Sequence, residues 1–469
     1  MRRLIPLLAV LFAAIMPSFG TAQDAKKPKN VVIVIADDLG MQVGCYGDKV
    51  IQTPNIDALA RRGVRFAHAF ATVSSCSPSR ASIFTGLYTH QSGQYGLQHP
   101  PHSQQAHPWV HGLPALLRAA GYWTGIIGKF HVGPQSVYNF HVEITKGLAG
   151  NRDVAAMAKA ARDFVNQRDK RPFFLVYGFG DPHRAKGGFA NENFAKDPKE
   201  VRYDPKDVIV PYHLPDNAEV RKELAEYYQS ITRMDRGLGL LIDALREARV
   251  LDHTLIIFLS DNGIPFPGAK TTLYASGIHL PLIVAGPGVP EGRTNSGLVS
   301  FVDLAPTVLD WTKVDGPKYK LPGRSLLPIL GEHNPKGWDT VFASHQFHEI
   351  TMYYPMRSIV TSKFKLIANL APEREYPLAS DLWGSPSWQG IRNRKDKMMG
   401  KMSVERFLHR PAEELYDLST DPHELRNLAG APTHAGVLAA LRQQLRSWQQ
   451  ETNDPWLILG REEDPKLNR

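Results

Sequence analysis

Cys76-Ser77-Pro78-Ser79-Arg80 sets a thiol two residues before a proline and four before an arginine. Pro78 suits the opening of a helix, where its missing N–H is not needed. Gly86 would close that helix early. A side chain at such a helix start meets free backbone N–H groups and the positive end of the dipole, which favour an anion. Arg80, one turn on, faces the same way and can fork onto an oxyanion.

A second set of residues carries oxygen donors. Asp37-Asp38 and Asp261-Asn262 each directly follow an apolar run. Together they form an anionic, all-oxygen group, which points to Ca²⁺ or Mg²⁺ rather than zinc. Four protein side chains packed closely favour Ca²⁺, because Mg²⁺ keeps more water. Lys129 with His131, and Asp181 with His183 and Arg184, follow two further apolar runs. These supply cations and general acid–base groups.

The elements that position these residues read as a sheet. Residues 31–36, 123–127, 173–177, 255–259 and 282–285 are short apolar runs of the kind found in buried parallel strands. Helical patterns at 54–62, 113–120, 154–167, 220–249 and 304–311 lie between them. The alternation predicts an α/β fold with helices on both faces. Ligands of such sheets bind beyond the carboxyl ends of the strands, and four of the runs deliver their polar residues to that edge. From about Trp338 the pattern changes to short strands at 341–344, 356–361, 364–369 and 415–418, with a closing amphipathic helix at 438–448. This predicts a catalytic domain over 23–337 and a smaller antiparallel α+β domain over 338–469. The Pro-, Gly- and Trp-rich stretch 372–410 carries no readable pattern.

Composition is that of a globular protein: 469 residues, 43% hydrophobic and 22% charged. Arg2 and Arg3, an apolar run from Leu4 to Met16, and Gly20-Thr21-Ala22 read as a signal peptide over 1–22. No second long apolar run follows, so no membrane attachment is expected after cleavage. The chain has two cysteines and no Asn-x-Ser/Thr sequon, which fits a bacterial periplasm or medium. Cys45 reads as a small buried residue. A net charge of +9 suits a polyanionic substrate. With no dense basic run, zinc-finger spacing or aromatic-interleaved repeat, nucleic acid is disfavoured and no nucleic-acid partner is expected.

The five-residue motif resembles the signature of the type I sulfatases, whose fold is alkaline-phosphatase-like. The resemblance implies that a maturation enzyme converts Cys76 to formylglycine, whose hydrate attacks sulfur. It also implies that Asp37, Asp38, Asp261, Asn262 and position 76 hold one Ca²⁺. Longer stretches are similar to the sulfamidase branch: Thr124–Lys129 with His131-Val132-Gly133-Pro134, Asp181-Pro182-His183-Arg184, Asp261–Pro267, Tyr353–Ser358, and Asp454-Pro455-Trp456. The matched residues take roles accordingly. Asp261 accepts the nucleophile's proton. Arg80, Lys129 and Lys270 neutralise sulfonate oxygens. His183 protonates the leaving group, and His131 takes the proton whose loss expels sulfate. Serine or unmodified cysteine at 76 would lack the second hydroxyl that this last step needs.

The expected activity is hydrolysis of the N-sulfate of glucosamine at the non-reducing end of heparin or heparan sulfate fragments. Asp181, Arg184, His345, His348 and Glu349 are the expected sugar contacts. The resemblance further implies a homodimer. Three alternatives stand beside this reading: an O-sulfatase of the same fold, a phosphonate or phosphodiester hydrolase, and a non-catalytic glycan-binding protein.

Overall fold

The computed structural model describes residues 29–194 and 197–459. The expected signal peptide lies outside the described residues. Eight strands form the main sheet: β1 (Asn30–Ala36), β2 (Gly63–Phe70), β3 (Trp123–Gly128), β4 (Val142–Ile144), β5 (Phe173–Gly178), β6 (Thr254–Ser260), β7 (His279–Ala285) and β8 (Arg293–Ser300). Their order is β4-β3-β5-β1-β6-β7-β2-β8.

Central position explains the composition of β1. Its seven residues, Asn-Val-Val-Ile-Val-Ile-Ala, are all buried. Val31, Ile33 and Ile35 point into one apolar core, and Val32, Val34 and Ala36 into another on the opposite face. This period of two fills both layers from one strand. The second layer is closed by the 30-residue helix Ala218–Glu247, started by the Asn217 side chain, which accepts from Val220 N at 3.0 Å.

The sheet is mixed, as β7 runs antiparallel to both β6 and β2. The expectation of a parallel strand at 282–285 is therefore corrected. β2, β4 and β8 were not expected either. β2 and β8 interleave polar residues with apolar ones, and β4 has three half-exposed or exposed residues at the sheet edge. β1, β3, β5 and β6 are parallel, so their carboxyl ends share one edge.

A second sheet contains β9 (Thr340–His345), β10 (Met356–Thr361), β11 (Phe364–Asn369) and, after a two-stranded ribbon of β12 (Met398–Met399) and β13 (Met402–Ser403), β14 (Glu413–Asp417). It is antiparallel, in the order β14-β11-β10-β9. Helix Ala435–Glu451 covers it through Leu438, Leu441, Leu445 and Trp448. Val341, Ala343 and Met356 join the same apolar core as Val31 and Leu280, so the two sheets share an interior. The Ser344 N–H donates to the Thr72 carbonyl at 2.8 Å, fixing β9 against the segment that leads to Cys76.

Candidate active site

Helix Cys76–Thr85 starts at Cys76, two residues earlier than Pro78 suggested, and ends at Gly86 with φ 69°. Every residue of the helix is buried. Ser75, the residue before it, does not cap the helix; its hydroxyl lies 2.8 Å from His348 Nδ1. Cys76 Sγ sits 3.7 Å from Asp38 Oδ1. Burial pushes this thiol well above its usual range, against the pull of Lys129 and Lys270.

Around it stand the acids at the ends of β1 and β6. Asp261 Oδ2 accepts from Arg80 Nε at 2.7 Å, while its Oδ1 accepts the N–H groups of Asp38 and Asn262 at 3.1 and 2.9 Å. Asn262 Nδ2 donates to Asp38 Oδ1 at 2.7 Å. Lys129 Nζ lies 2.5 Å from Asp37 Oδ2. Burial raises the Asp261 carboxyl to about 7, opposed by Arg80. Burial also raises that of Asp37, but Lys129, His183 and Arg80 outweigh it and hold the group well below the ordinary carboxylate range.

These donors fit a hard divalent cation. Ligand atoms of Asp37, Cys76 and Asp261 lie within 4.8 Å of one another, all buried. Asn262 Oδ1 is buried beside them with no hydrogen-bond partner among the described residues. A buried acceptor left unpaired is costly, and a bound cation would satisfy it.

The cationic wall is formed by Lys129, Lys270 and Arg80. Lys270 Nζ donates to Asp38 Oδ2 at 3.0 Å and lies 3.2 Å from His183 Nε2. Thr271 beside it adopts φ 71°, a conformation rare for a β-branched residue. Its N–H donates to the Ser74 carbonyl at 2.9 Å and its hydroxyl meets Tyr376 at 2.8 Å, which hold the turn. His183 Nδ1 bonds the Arg184 carbonyl, so this nitrogen carries the proton and Nε2 faces the cluster. His131 also has a positive φ, 64°, and its ring stacks on His99 at 5.2 Å. Burial, then Lys129, lowers its basicity well below the usual value.

Of the five expected sugar contacts, His348 lies against Ser75 beside position 76. Arg184 lines a separate stretch of wall, a cavity of about 710 Å³ that Asp381 also lines, with its Nε donating to the Pro265 carbonyl at 2.7 Å and its Nη1 paired with Glu223. Asp181 is corrected. It is fully buried, with Oδ1 bonded to Arg152 Nε at 2.9 Å and Oδ2 to Arg233 Nε at 2.8 Å, so its acceptor capacity is spent inside the protein. His345, 1% exposed, faces Arg357 and Arg410 and has no surface to offer a sugar. Glu349 accepts from the Ser380 N–H at 2.8 Å and thereby positions the start of helix Ser380–Trp383.

Asp381, on that helix, is the residue sequence reasoning missed. Its Oδ2 accepts from Lys270 Nζ at 2.8 Å and lies 3.8 Å from His183 Nε2. Burial opposes its ionisation, yet Lys270, His183 and His348 keep it ionised far below the usual carboxylate range. It comes from the unpatterned stretch 372–410, so only tertiary structure reveals it.

The family description "Sulfatase" matches residues 29–314, and "N-sulphoglucosamine sulphohydrolase, C-terminal" matches 269–387. The N-sulphoglucosamine sulphohydrolase of Homo sapiens is 43% identical over 462 residues, covering 92% of each chain. A putative sulfatase from Bacteroides thetaiotaomicron superposes with a TM-score of 0.70 at 23% identity, covering 92% of this chain and 94% of that one. A protein solved with its substrate D-glucosamine-2-N,6-O-disulfate superposes with a TM-score of 0.67 at 22% identity, covering 92% and 99%.

Proposed function

The chain belongs to the sulfatase family and is a sulfate ester or sulfamate hydrolase, and on that premise we propose that it removes the N-sulfate of glucosamine at the non-reducing end of heparin or heparan sulfate fragments. One observation carries this reading. The region matching the N-sulphoglucosamine sulphohydrolase C-terminal description, 269–387, supplies Lys270, His348 and Asp381 to the cluster around Cys76. With His183, these groups would surround a leaving nitrogen.

In this account Cys76 is matured to formylglycine, which supplies a hydrated aldehyde oxygen as nucleophile. Asp37, Asp38, Asp261 and Asn262 hold Ca²⁺, which supplies Lewis acidity and charge neutralisation. Arg80, Lys129 and Lys270 face the sulfonate oxygens and offset their charge as it shifts in the transition state. Asp261, its Oδ2 held by Arg80 beside position 76, accepts a proton there. His183 presents Nε2 to the departing nitrogen, with its ring fixed by the Arg184 carbonyl. His131, next to Lys129, takes the proton released when sulfate departs. The N-terminal 22 residues direct export, and a formylglycine-generating enzyme is the required maturation partner. No helix of the described residues is long and apolar enough to cross a membrane.

The test compares two substrates with the matured, Ca²⁺-loaded protein. N-sulfoglucosamine should yield sulfate and a free amine. Turnover of 6-O-sulfated N-acetylglucosamine alone would assign an O-sulfatase instead.

A further inference from the structure

Resting on the N-sulfatase reading, we infer that Asp381 is the residue that selects a sulfamate over a sulfate ester, by accepting the N–H of the scissile nitrogen. The argument is geometric. Asp381 Oδ2 lies 3.8 Å from His183 Nε2. Two groups that far apart can both reach one atom placed about 3 Å from each, the ordinary hydrogen-bond distance. The atom that His183 must reach is the leaving atom. A carboxylate oxygen therefore sits within reach of that same atom.

The two substrate classes differ at this atom. A sulfamate nitrogen carries one hydrogen, which a carboxylate accepts. An ester oxygen carries none and presents only lone pairs to the carboxylate, which repels them. During cleavage the S–N bond breaks and its electron pair passes to nitrogen. Nitrogen takes the Nε2 proton of His183 in its imidazolium form, the ring keeping its Nδ1–H on the Arg184 carbonyl, while the sulfonate passes to the nucleophile at position 76. The amine then leaves with two N–H groups and becomes an ammonium on taking a further proton from water. The contact becomes charge-assisted once the nitrogen is an ammonium.

Two further observations favour this role. Asp381 has a side chain 20% exposed and lines the 710 Å³ cavity beside Arg184 and Glu223. Its Oδ1 has no hydrogen-bond partner among the described residues.

The experiment measures kcat/KM of the matured wild type and of Asp381→Asn on N-sulfoglucosamine and on 4-nitrophenyl sulfate. The ratio of the two should fall by about 100-fold in the variant, since an amide presents its own N–H or a weaker acceptor to the sulfamate hydrogen. Equal losses on both substrates would overturn the inference and leave Asp381 a support for Lys270. An unchanged ratio would overturn it too. The wild type alone gives a second reading that needs no folded variant. Glucosamine should inhibit 4-nitrophenyl sulfate turnover about 10-fold more strongly than glucose, because only the former offers an ammonium to a carboxylate. Equal inhibition would contradict the proposal. A wild type that turns over the aryl sulfate but releases no amine from N-sulfoglucosamine would instead refute the N-sulfatase reading, and the inference with it.

Discussion

Lys270 and Asp381, 111 residues apart in the chain, meet with Nζ and Oδ2 at 2.8 Å. The contact joins the loop between β6 and β7 of the main sheet to a helix that leads into the second sheet's ribbon. Through Lys270 it continues to Asp38 at 3.0 Å and thus to the helix start that carries Cys76. Removing the ammonium removes the centre of this line. Lys270→Ala should lower kcat/KM on a sulfated substrate by about 10²- to 10³-fold, the usual loss for one charge-stabilising donor. Steady-state kinetics would check this, and wild-type rates in the variant would contradict it.

Asp181 should behave as a structural residue despite its place two positions before His183. Its carboxylate is shared by Arg152 and Arg233 in a buried cluster. Breaking such a group by removing one partner costs about 3–5 kcal/mol. Asp181→Ala should therefore shift the urea unfolding midpoint strongly, while KM of the remaining folded enzyme stays near wild type. A raised KM with unchanged stability would return Asp181 to the sugar contacts.

Metal should stabilise the folded chain as well as activate it. The acids around position 76 are preassembled only in the native fold, so Ca²⁺ should bind that state, stabilise it by about 2.7 kcal/mol at 100 times Kd by mass action, and raise the melting temperature. Chelation should reverse both the thermal shift and the activity. An Asp261→Asn variant should lose most of the calcium-dependent shift. A melting temperature indifferent to Ca²⁺ would speak against the assigned ligands.

Stability should decline in acid through buried histidines. His213 is 3% exposed and neither ring nitrogen has a partner among the described residues. Burial, aided by His423, lowers its pKa to about 3. The unfolded chain binds this proton as pH falls through about 6.5, but the folded chain does not until about 3. The stabilisation is complete above the unfolded value and is lost as pH drops, by about 1.4 kcal/mol per unit across that window. His90 and His345, each held near 3 by burial, act in the same direction. His213→Leu should reduce the slope of unfolding free energy against pH by about one proton. An unchanged slope between pH 6 and 4 would show that His213 takes up its proton while folded.

The proposed metal ligands Asp37, Asp38, Asp261 and Asn262, and Lys129, were legible because each follows an apolar run long enough to be read as a strand, whereas Arg80 was read from the Cys76 motif and Lys270 from the family resemblance. The shared edge then follows from parallel packing. Direction was not legible for β7: His-Leu-Pro-Leu-Ile-Val-Ala is buried at six of its seven positions whichever way it runs. Contacts made across the chain were hidden as well. Asp181 reads as a site residue because it neighbours His183, and nothing local announces Arg152 or Arg233. Asp381 lies in a stretch without periodicity, and only the fold brings it to Lys270. His345 and His348 look equivalent in sequence, yet β9 ends between them, leaving one in the interior and the other against Ser75.

The most direct test uses glucosamine carrying both N- and 6-O-sulfates, incubated with the matured, Ca²⁺-loaded protein and followed by product mass and amine detection. The account predicts loss of one sulfate with appearance of a free amine and retention of the 6-O-sulfate. Loss of the 6-O-sulfate with the N-sulfate intact would contradict it.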